Sequence, residues 1–88
     1  MLLLDYTTQF KKDIKKVKTS GKNITKLTEV IDLLVDEKPL LKKHRDHSLI
    51  GDYLGCRECH IEPDWLLIYQ VISGRLVLSR TGSHSELF

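Results

Sequence analysis

Residues 57–65 of this sequence bring together several side chains that can move protons. They include His60 and Asp64 and end in the indole of Trp65, and Arg80 and His84 follow on a later segment. Histidine can remove or donate a proton because its pKa lies near physiological pH. The planar guanidinium of arginine matches two phosphate oxygens and can stabilise an anion. These residue types suit acid–base cleavage of a phosphodiester.

RNA is the phosphodiester that such a set fits best, because its own 2′-hydroxyl can act as the nucleophile. A base takes the proton of that hydroxyl, a cation stabilises the phosphorane, and an acid protonates the leaving 5′-oxygen. No step requires a metal ion. We therefore expect a metal-independent ribonuclease site without a cofactor.

Most of these residues also have a purely structural alternative. His60 can be a hydrogen-bonded imidazole at a strand end, and Asp64 can cap a turn. Trp65 offers a stacking platform for a base only if its ring is half exposed, and it otherwise belongs to the core. Arg80 in an apolar strand is costly unless paired, so an ion pair with Asp64 or Glu58 is its alternative.

Three more inferences concern the histidines. His44 and His47 lie in a basic loop, where a surface position is their structural alternative. Arg80 and His84 share a strand face if the chain stays extended through Gly82, although that glycine can introduce a bulge.

The two cysteines precede His60 in a pattern that also occurs at covalent haem attachment sites. We reject haem because no export signal is recognisable and the only methionine is Met1. A structural zinc site needs four ligands, and Cys56, Cys59, His60 and His84 lack the usual second paired set. We expect two semi-buried thiols without chemistry.

The elements that position these residues follow from periodicity and turn chemistry. Apolar residues recur at helical spacing in two early segments, and alternating or continuous apolar runs predict strands later. The predicted order is a strand at 2–6, a helix from Thr7 or Thr8 to Ser20-Gly21, a helix from Asn23 or Thr25 to Lys38-Pro39, a loop at 40–52 and strands at 53–61, 65–72 and 75–81. This βαα-βββ order predicts an α+β fold, with two helices on one face of a small antiparallel sheet.

Length and charge bound the remaining possibilities. The 88 residues predict one domain, residues 1–88, and no apolar run approaches the roughly 20 residues of a membrane span. Without a secretory signal we expect a cytoplasmic protein. Net charge is only +2, yet seven lysines against one acid lie between Lys11 and Lys26. This segment is either a solvated helix face or a surface that attracts phosphate.

Several motifs resemble the YafQ branch of the RelE toxin superfamily, the toxins of bacterial toxin–antitoxin pairs. The similar segments are Asp46-His47-Ser48-Leu49-Ile50-Gly51, residues 57–69, Arg80-Thr81-Gly82-Ser83-His84 and the final Leu87-Phe88. The resemblance implies an endonuclease that cleaves mRNA in the ribosomal A site and is silenced by a cognate antitoxin. Ser48 replaces a common proline, which bears on substrate preference more than on chemistry.

The resemblance also implies roles for individual residues. His47, His60, Asp64 and His84 match the family's acid–base residues, Arg80 matches its transition-state cation, and Trp65 and Phe88 match residues that support or contact substrate. We expect His84 to act as the acid, His60 or His47 as the base, and Asp64 to orient an imidazole or share the proton work. The lysines expected to bind RNA phosphate, including ribosomal RNA, are Lys11, Lys12, Lys15 and Lys16.

A rival hypothesis is a non-catalytic RNA- or protein-binding module on the same fold. The two hypotheses differ in geometry, because catalysis requires His60, Arg80 and His84 to converge on one phosphate and binding does not.

Overall fold

The computed structural model describes residues 1–88. Five strands form one sheet in the order β1-β5-β4-β3-β2, with two long helices, a short third helix and two single-turn 3-10 helices. In chain order the elements are β1 (Leu3–Tyr6), α1 (Thr8–Thr19), α2 (Ile24–Val35), 3-10 turns at Lys42–His44 and Gly51–Tyr53 that flank β2 (His47–Ser48), then β3 (Arg57–Glu62), β4 (Trp65–Ile72), β5 (Arg75–Gly82) and α3 (His84–Leu87). The α+β class and the predicted βαα and βββ segments are confirmed, and the structure adds β2 within the predicted loop 40–52 and α3 after the last strand.

The sheet is mixed, so the expectation of a wholly antiparallel sheet is wrong. Strand β1 runs parallel to β5, with Leu3 opposite Arg75 and Tyr6 opposite Leu78, whereas the other pairs are antiparallel. The helical pair α1–α2 carries the chain back from the end of β1 to its start, where the Leu2 amide donates to the Val35 carbonyl oxygen at 2.8 Å. No helix has the length and apolar character of a membrane span.

Both helix starts follow from side-chain caps. The Thr7 hydroxyl accepts from the Phe10 amide, and the Asn23 side chain accepts from the Thr25 amide. Each cap satisfies an amide of the first turn that has no partner within the helix. Phe10 and Val17 of α1 and Leu27, Val30 and Leu34 of α2 are then buried.

The sheet has two covered faces. On one face α1 and α2 pack over Trp65, Leu67 and Tyr69 of β4. On the other face Leu66 and Ile68 form a smaller cluster with Leu87 of α3. The near-continuous apolar run of β4 is thus explained, because its side chains are buried on both sides.

Three local predictions are corrected. Tyr53 lies in a 3-10 turn, so β3 begins at Arg57 rather than at residue 53. Leu49 packs on the smaller cluster as expected, but Ile50 is 86% exposed and does not tuck onto the core. The chain after Gly82 turns into α3 instead of staying extended. Arg80 and His84 therefore do not share a strand face.

Candidate active site

The candidate site lies on the sheet face opposite α1 and α2, where strand register aligns its side chains. His47 of β2 is opposite Glu58 of β3, Glu58 is opposite Ile68 of β4, and Ile68 is opposite Arg80 of β5. Side chains that are directly opposite one another share a face. Arg80 is two strands from Glu58, about 10 Å at the usual strand spacing, which an arginine side chain can partly bridge.

A second row adds His60. His60 is opposite Leu66, which is in turn opposite Gly82. The glycine allows α3 to approach, because a Cβ there would lie 3.2 Å from Glu86 Oε1 and 3.5 Å from a Leu87 methyl carbon. Helix α3 then places His84 next to His60, with the two ring centroids 5.6 Å apart.

His84 is held by Asp64 from the β3–β4 turn. Asp64 Oδ1 lies 2.8 Å from His84 Nδ1 and accepts a 3.0 Å hydrogen bond from the His84 backbone amide. These two hydrogen bonds lower the pKa of Asp64, so its carboxylate is ionised at neutral pH. An ionised carboxylate only accepts, so His84 Nδ1 carries the proton and Nε2 stays free of Asp64. This geometry fits the expectation that Asp64 orients an imidazole.

His60 also uses one ring nitrogen for anchoring. Its Nδ1 lies 3.2 Å from the Pro63 carbonyl oxygen, which can only accept, so Nδ1 donates there. The Nε2 atom lies 3.9 Å from Glu58 Oε1, beyond hydrogen-bond distance. His60 thus has a free Nε2 at a half-buried position beside His84.

His47 is engaged at both ring nitrogens. Its Nδ1 lies 2.7 Å from the Arg45 carbonyl oxygen, and its Nε2 lies 2.9 Å from Glu58 Oε2. The carbonyl can only accept, so Nδ1 donates there, and Nε2 faces a carboxylate with which His47 forms an ion pair when it is protonated.

Glu58 is the site residue that sequence reasoning missed, having been considered only as a partner for Arg80. Its side chain is 7% exposed, and its Oε1 atom is buried without a hydrogen-bond partner. A buried carboxyl oxygen without a partner is costly and is typical of functional sites. The available signal was its strand spacing, two residues before His60, which puts both side chains on one face.

Arg80 pairs with a residue that the sequence did not suggest. Its Nε and Nη2 donate to the two oxygens of Asp13 on α1, at 2.7 and 3.2 Å, so neither Asp64 nor Glu58 is the partner. Burial opposes ionisation of Asp13, but hydrogen bonds from Arg80, Gln9 and Thr81 outweigh it and lower its pKa. In return, the hydrogen bond to Asp13 raises the pKa of Arg80.

Trp65 does not offer a stacking platform. Its ring is fully buried, its Nε1 donates to the Thr81 hydroxyl at 2.9 Å, and the Lys22 ammonium lies 5.7 Å from the ring centroid. The base-stacking hypothesis for Trp65 is wrong, and its place is in the core that supports β5. Phe88 differs, because it is 63% exposed and packs edge-to-face on Tyr53.

His44 was expected at the surface, and it is buried. Its exposure is 8%, and its Nδ1 lies 2.7 Å from the backbone oxygen of His60. Its ring therefore donates to that carbonyl and ties the loop before β2 to β3. The loop is fixed again by Asp46, which accepts hydrogen bonds from Tyr69 Oη and Arg57 Nε at 2.6 and 3.2 Å.

The cysteines take no part in the site. Cys59 is fully buried among the core residues under the helices, and burial raises its pKa to about 12. Cys56 packs on the opposite cluster, so the two thiols are free and on different faces. The set that could hold a metal ion is instead Glu58, His60 and His84, whose ligand atoms all lie within 4.8 Å of one another.

Comparisons with known proteins identify relatives of this chain. The family described as bacterial toxin of type II toxin–antitoxin system, YafQ, matches residues 2–88. The mRNA interferase toxin YafQ of Escherichia coli K12 is 38% identical over 86 residues, which cover 97% of this chain and 94% of that protein. A copper-bound mutant toxin from Helicobacter pylori is 44% identical with a TM-score of 0.95, and each chain is fully covered.

A third relative is the toxin in the E. coli DinJ–YafQ complex. It is 37% identical with a TM-score of 0.92, covering 100% of this chain and 99% of that one. A family match over nearly all residues and these identities are sufficient to assign the family. The chain belongs to the YafQ family of toxins from bacterial type II toxin–antitoxin systems.

Proposed function

We propose that this toxin is an mRNA interferase, an endoribonuclease that cleaves mRNA by attack of the 2′-hydroxyl and without a metal cofactor. The observation that carries the proposal is the pair of adjacent imidazoles, His60 and His84, each anchored through Nδ1 with Nε2 available. A base and an acid flanking one phosphodiester are what this cleavage requires. A binding module has no need of two such imidazoles.

The anchoring pattern assigns the base to His60. Its Nδ1–H is committed to the Pro63 carbonyl, so neutral His60 presents an unprotonated Nε2 that can take the 2′-hydroxyl proton. His47 is less suited, because its Nε2 faces the Glu58 carboxylate at 2.9 Å rather than open space. Its role is to position the Glu58 carboxylate beside His60, the base.

The acid is His84. The Asp64 carboxylate holds its Nδ1–H, so the imidazolium form of His84 keeps an Nε2–H that can be given to the leaving 5′-oxygen. Half of the His84 side chain is exposed, at 53%, so RNA can reach it. After cleavage His60 is protonated and His84 is neutral, and proton exchange with water resets both.

Arg80 stabilises the phosphorane. Asp13 takes the donors on Nε and Nη2, and a guanidinium has five N–H donors, so others remain for phosphate oxygens. Because Asp13 holds the guanidinium in place before RNA binds, no reorganisation is needed when negative charge develops on the phosphorane. Phe88 and Tyr53 provide the exposed aromatic surface for a base next to the cleaved bond.

The partners follow from the relatives. We propose that the toxin acts on mRNA in the ribosomal A site and that a cognate antitoxin silences it, as the DinJ–YafQ complex suggests for its E. coli relative. The antitoxin would cover the exposed His84 and Phe88 or the lysine-rich surface with an acidic or apolar segment. Because ribosomes and their mRNA are cytoplasmic, we propose that the protein acts there.

A metal ion would compete with catalysis at this site. Two imidazoles and a buried carboxyl oxygen without a partner suit copper or zinc, and a relative is copper-bound. Glu58, His60 and His84 would hold the ion through the nitrogen lone pairs that proton transfer uses. Such an ion would therefore inhibit cleavage.

The direct test uses purified protein and a short RNA, alone and on translating ribosomes. We expect products ending in 2′,3′-cyclic phosphate or its 3′-phosphate, and no cleavage when the attacking nucleotide is 2′-deoxy. His60→Ala and His84→Ala should each reduce the rate about 10²–10⁴-fold. Ser85→Ala, an exposed polar residue on the same short helix, should cleave normally. Cleavage of the 2′-deoxy substrate at the same position would refute the mechanism.

A further inference from the structure

A polar groove lies beside the candidate active site, between α1 and the junction of β5 with α3. Its volume is about 370 Å³, and only one of its 11 lining residues is hydrophobic. Its cations are Lys12, Lys16, Lys22 and Arg80, and its carboxylates are Asp13 and Glu86. The groove therefore has an excess of two positive charges.

Both carboxylates are already committed within the protein. Asp13 accepts from Arg80, from Gln9 and from the Thr81 backbone amide. Glu86 Oε1 accepts the Ser83 backbone amide at 2.9 Å, completing the capping box of α3. Both carboxylates are therefore hydrogen-bonded to groups of the protein that form the walls of the groove.

The three lysines have no ionic partner, although the Lys22 ammonium lies 5.7 Å from the Trp65 ring centroid. None of them forms a salt bridge, although Lys26 on the neighbouring helix pairs with Glu62 at 2.8 Å. Three unpaired ammonium groups around one polar groove leave strong donors for an anionic ligand.

The groove separates the α1 lysines into two sets. Lys12 and Lys16, one helical turn apart, line the groove. Lys11 and Lys15 do not line it, and the Lys11 ammonium lies 5.9 Å from the Tyr6 ring centroid instead. Of the α1 lysines, Lys12 and Lys16 are therefore the two that can contact an anion in the groove.

Arg80 connects the groove to the chemistry. The same guanidinium lines the groove and belongs to the sheet face that carries His60 and Glu58. Lys22 lies close enough to Asp64 to help lower its pKa. A chain of phosphates crossing the active site can therefore continue into the groove.

We infer that the groove is a second phosphate subsite, which binds an RNA phosphodiester next to the one being cleaved. This inference rests on the proposed function for the neighbouring phosphate. The phosphodiester belongs either to the substrate strand or to ribosomal RNA that lies beside it, and both present the same anionic oxygens.

The test compares charge-matched pairs of variants. The groove pair is Lys12→Gln with Lys16→Gln, the outward pair is Lys11→Gln with Lys15→Gln, and the remote control is Lys38→Gln with Arg75→Gln. The probe is a short RNA, 2′-deoxy at the cleavage position so that it cannot be cut, with each phosphate in turn replaced by neutral methylphosphonate. Affinity is measured against salt concentration, for this RNA and for ribosomes with an empty A site.

For the substrate strand, we expect the groove pair to weaken RNA binding about tenfold or more. It should also reduce the salt slope by about 1.4, since each lysine–phosphate contact with a single strand contributes about 0.7. The outward pair should lose less affinity for the RNA than the groove pair, and the remote pair should bind the RNA as tightly as the unchanged protein does. One methylphosphonate position should weaken the unchanged protein but not the groove pair, which identifies the bound phosphate.

Each outcome decides the inference. Weaker binding of the short RNA supports a substrate phosphate, and weaker binding of the ribosome alone supports a ribosomal one. If the groove pair loses no more than the outward pair on both probes, the subsite does not exist. Because the probe is not cleaved, its binding tests the subsite even if the protein proves inactive. If the protein cleaves RNA normally and the groove pair binds the probe as tightly as the unchanged protein does, only the subsite is refuted.

Discussion

Replacing Arg80 by alanine tests catalysis and stability together, because Arg80 also pairs with the buried Asp13. The Asp13 side chain is 6% exposed and would keep only Gln9 and the Thr81 amide as donors. Leaving one member of a buried ion pair alone costs about 3 kcal/mol of unfolding free energy. For a domain of this size that lowers Tm by about 12–24 °C. Loss of activity in this variant is therefore ambiguous by itself.

A second substitution separates the two effects. Asp13→Asn in the Arg80→Ala background removes the unpaired charge and should return about 2 kcal/mol of the lost stability. If Arg80 stabilises the phosphorane, the double variant should still cleave RNA at least about 10²-fold more slowly. The measurements are urea unfolding and single-turnover cleavage at a temperature where every variant is folded.

The pH dependence provides an independent check on the stability term. The folded-state pKa of Asp13 is lowered, so its stabilising contribution is full above the unfolded value of about 3.9 and is lost as pH falls through the folded value. Without Arg80, the hydrogen bond and the charge that most lower the pKa of Asp13 are lost, so the carboxyl is protonated at a higher pH than in the unchanged protein and the penalty is relieved. The stability gap between the unchanged protein and Arg80→Ala should thus narrow from pH 7 to pH 3. If the double variant regained both stability and activity, Arg80 would be purely structural.

Three further predictions concern the acid, the antitoxin and metal ions. A substrate with a 5′-thio leaving group should restore cleavage by His84→Ala more than by the Arg80→Ala, Asp13→Asn double variant, because only the former lacks the acid; equal restoration in a kinetic assay would contradict this role. A purified one-to-one complex with the antitoxin should cleave RNA far more slowly than the free toxin, and equal rates would exclude a segment that covers the site. Chelator should leave cleavage unchanged while added copper or zinc inhibits it, with Glu58→Gln less sensitive; activity that vanishes with chelator and returns with metal would overturn the metal-independent mechanism.

The sequence predicted elements well where local signals determine them. Thr7 and Asn23 begin the two helices as side-chain caps, and Ser73-Gly74 forms the β4–β5 turn with both residues at positive φ, 50° and 75°. Such mirror-image turns match the twist of the strands that they join. The same local chemistry explains α3, because Ser83 and Glu86 form a capping box at its start.

What the sequence could not supply are contacts between distant segments. Asp13 and Arg80 are 67 residues apart, and no periodicity links one acid among seven lysines to an arginine on the last strand. The parallel pairing of β1 with β5 is equally invisible, because strand 3–6 has no feature that selects its partner. Trp65 was left open between core and surface, and only the packing of α1 and α2 decides that it is core.

The anchoring of each candidate residue also ranks the roles that the sequence left open. Arg80 is held through Nε by Asp13, His84 through Nδ1 by Asp64, and His60 through Nδ1 by a backbone carbonyl. Each of the three thus keeps a polar atom for the substrate, in a position fixed before RNA binds, which is the condition for electrostatic and proton-transfer catalysis. His47 lacks such an atom, because Arg45 and Glu58 occupy both of its nitrogens. Were it the base, the Glu58 carboxylate would first have to move away from His47 Nε2. His60 requires no such step, and on this ground it is the stronger assignment.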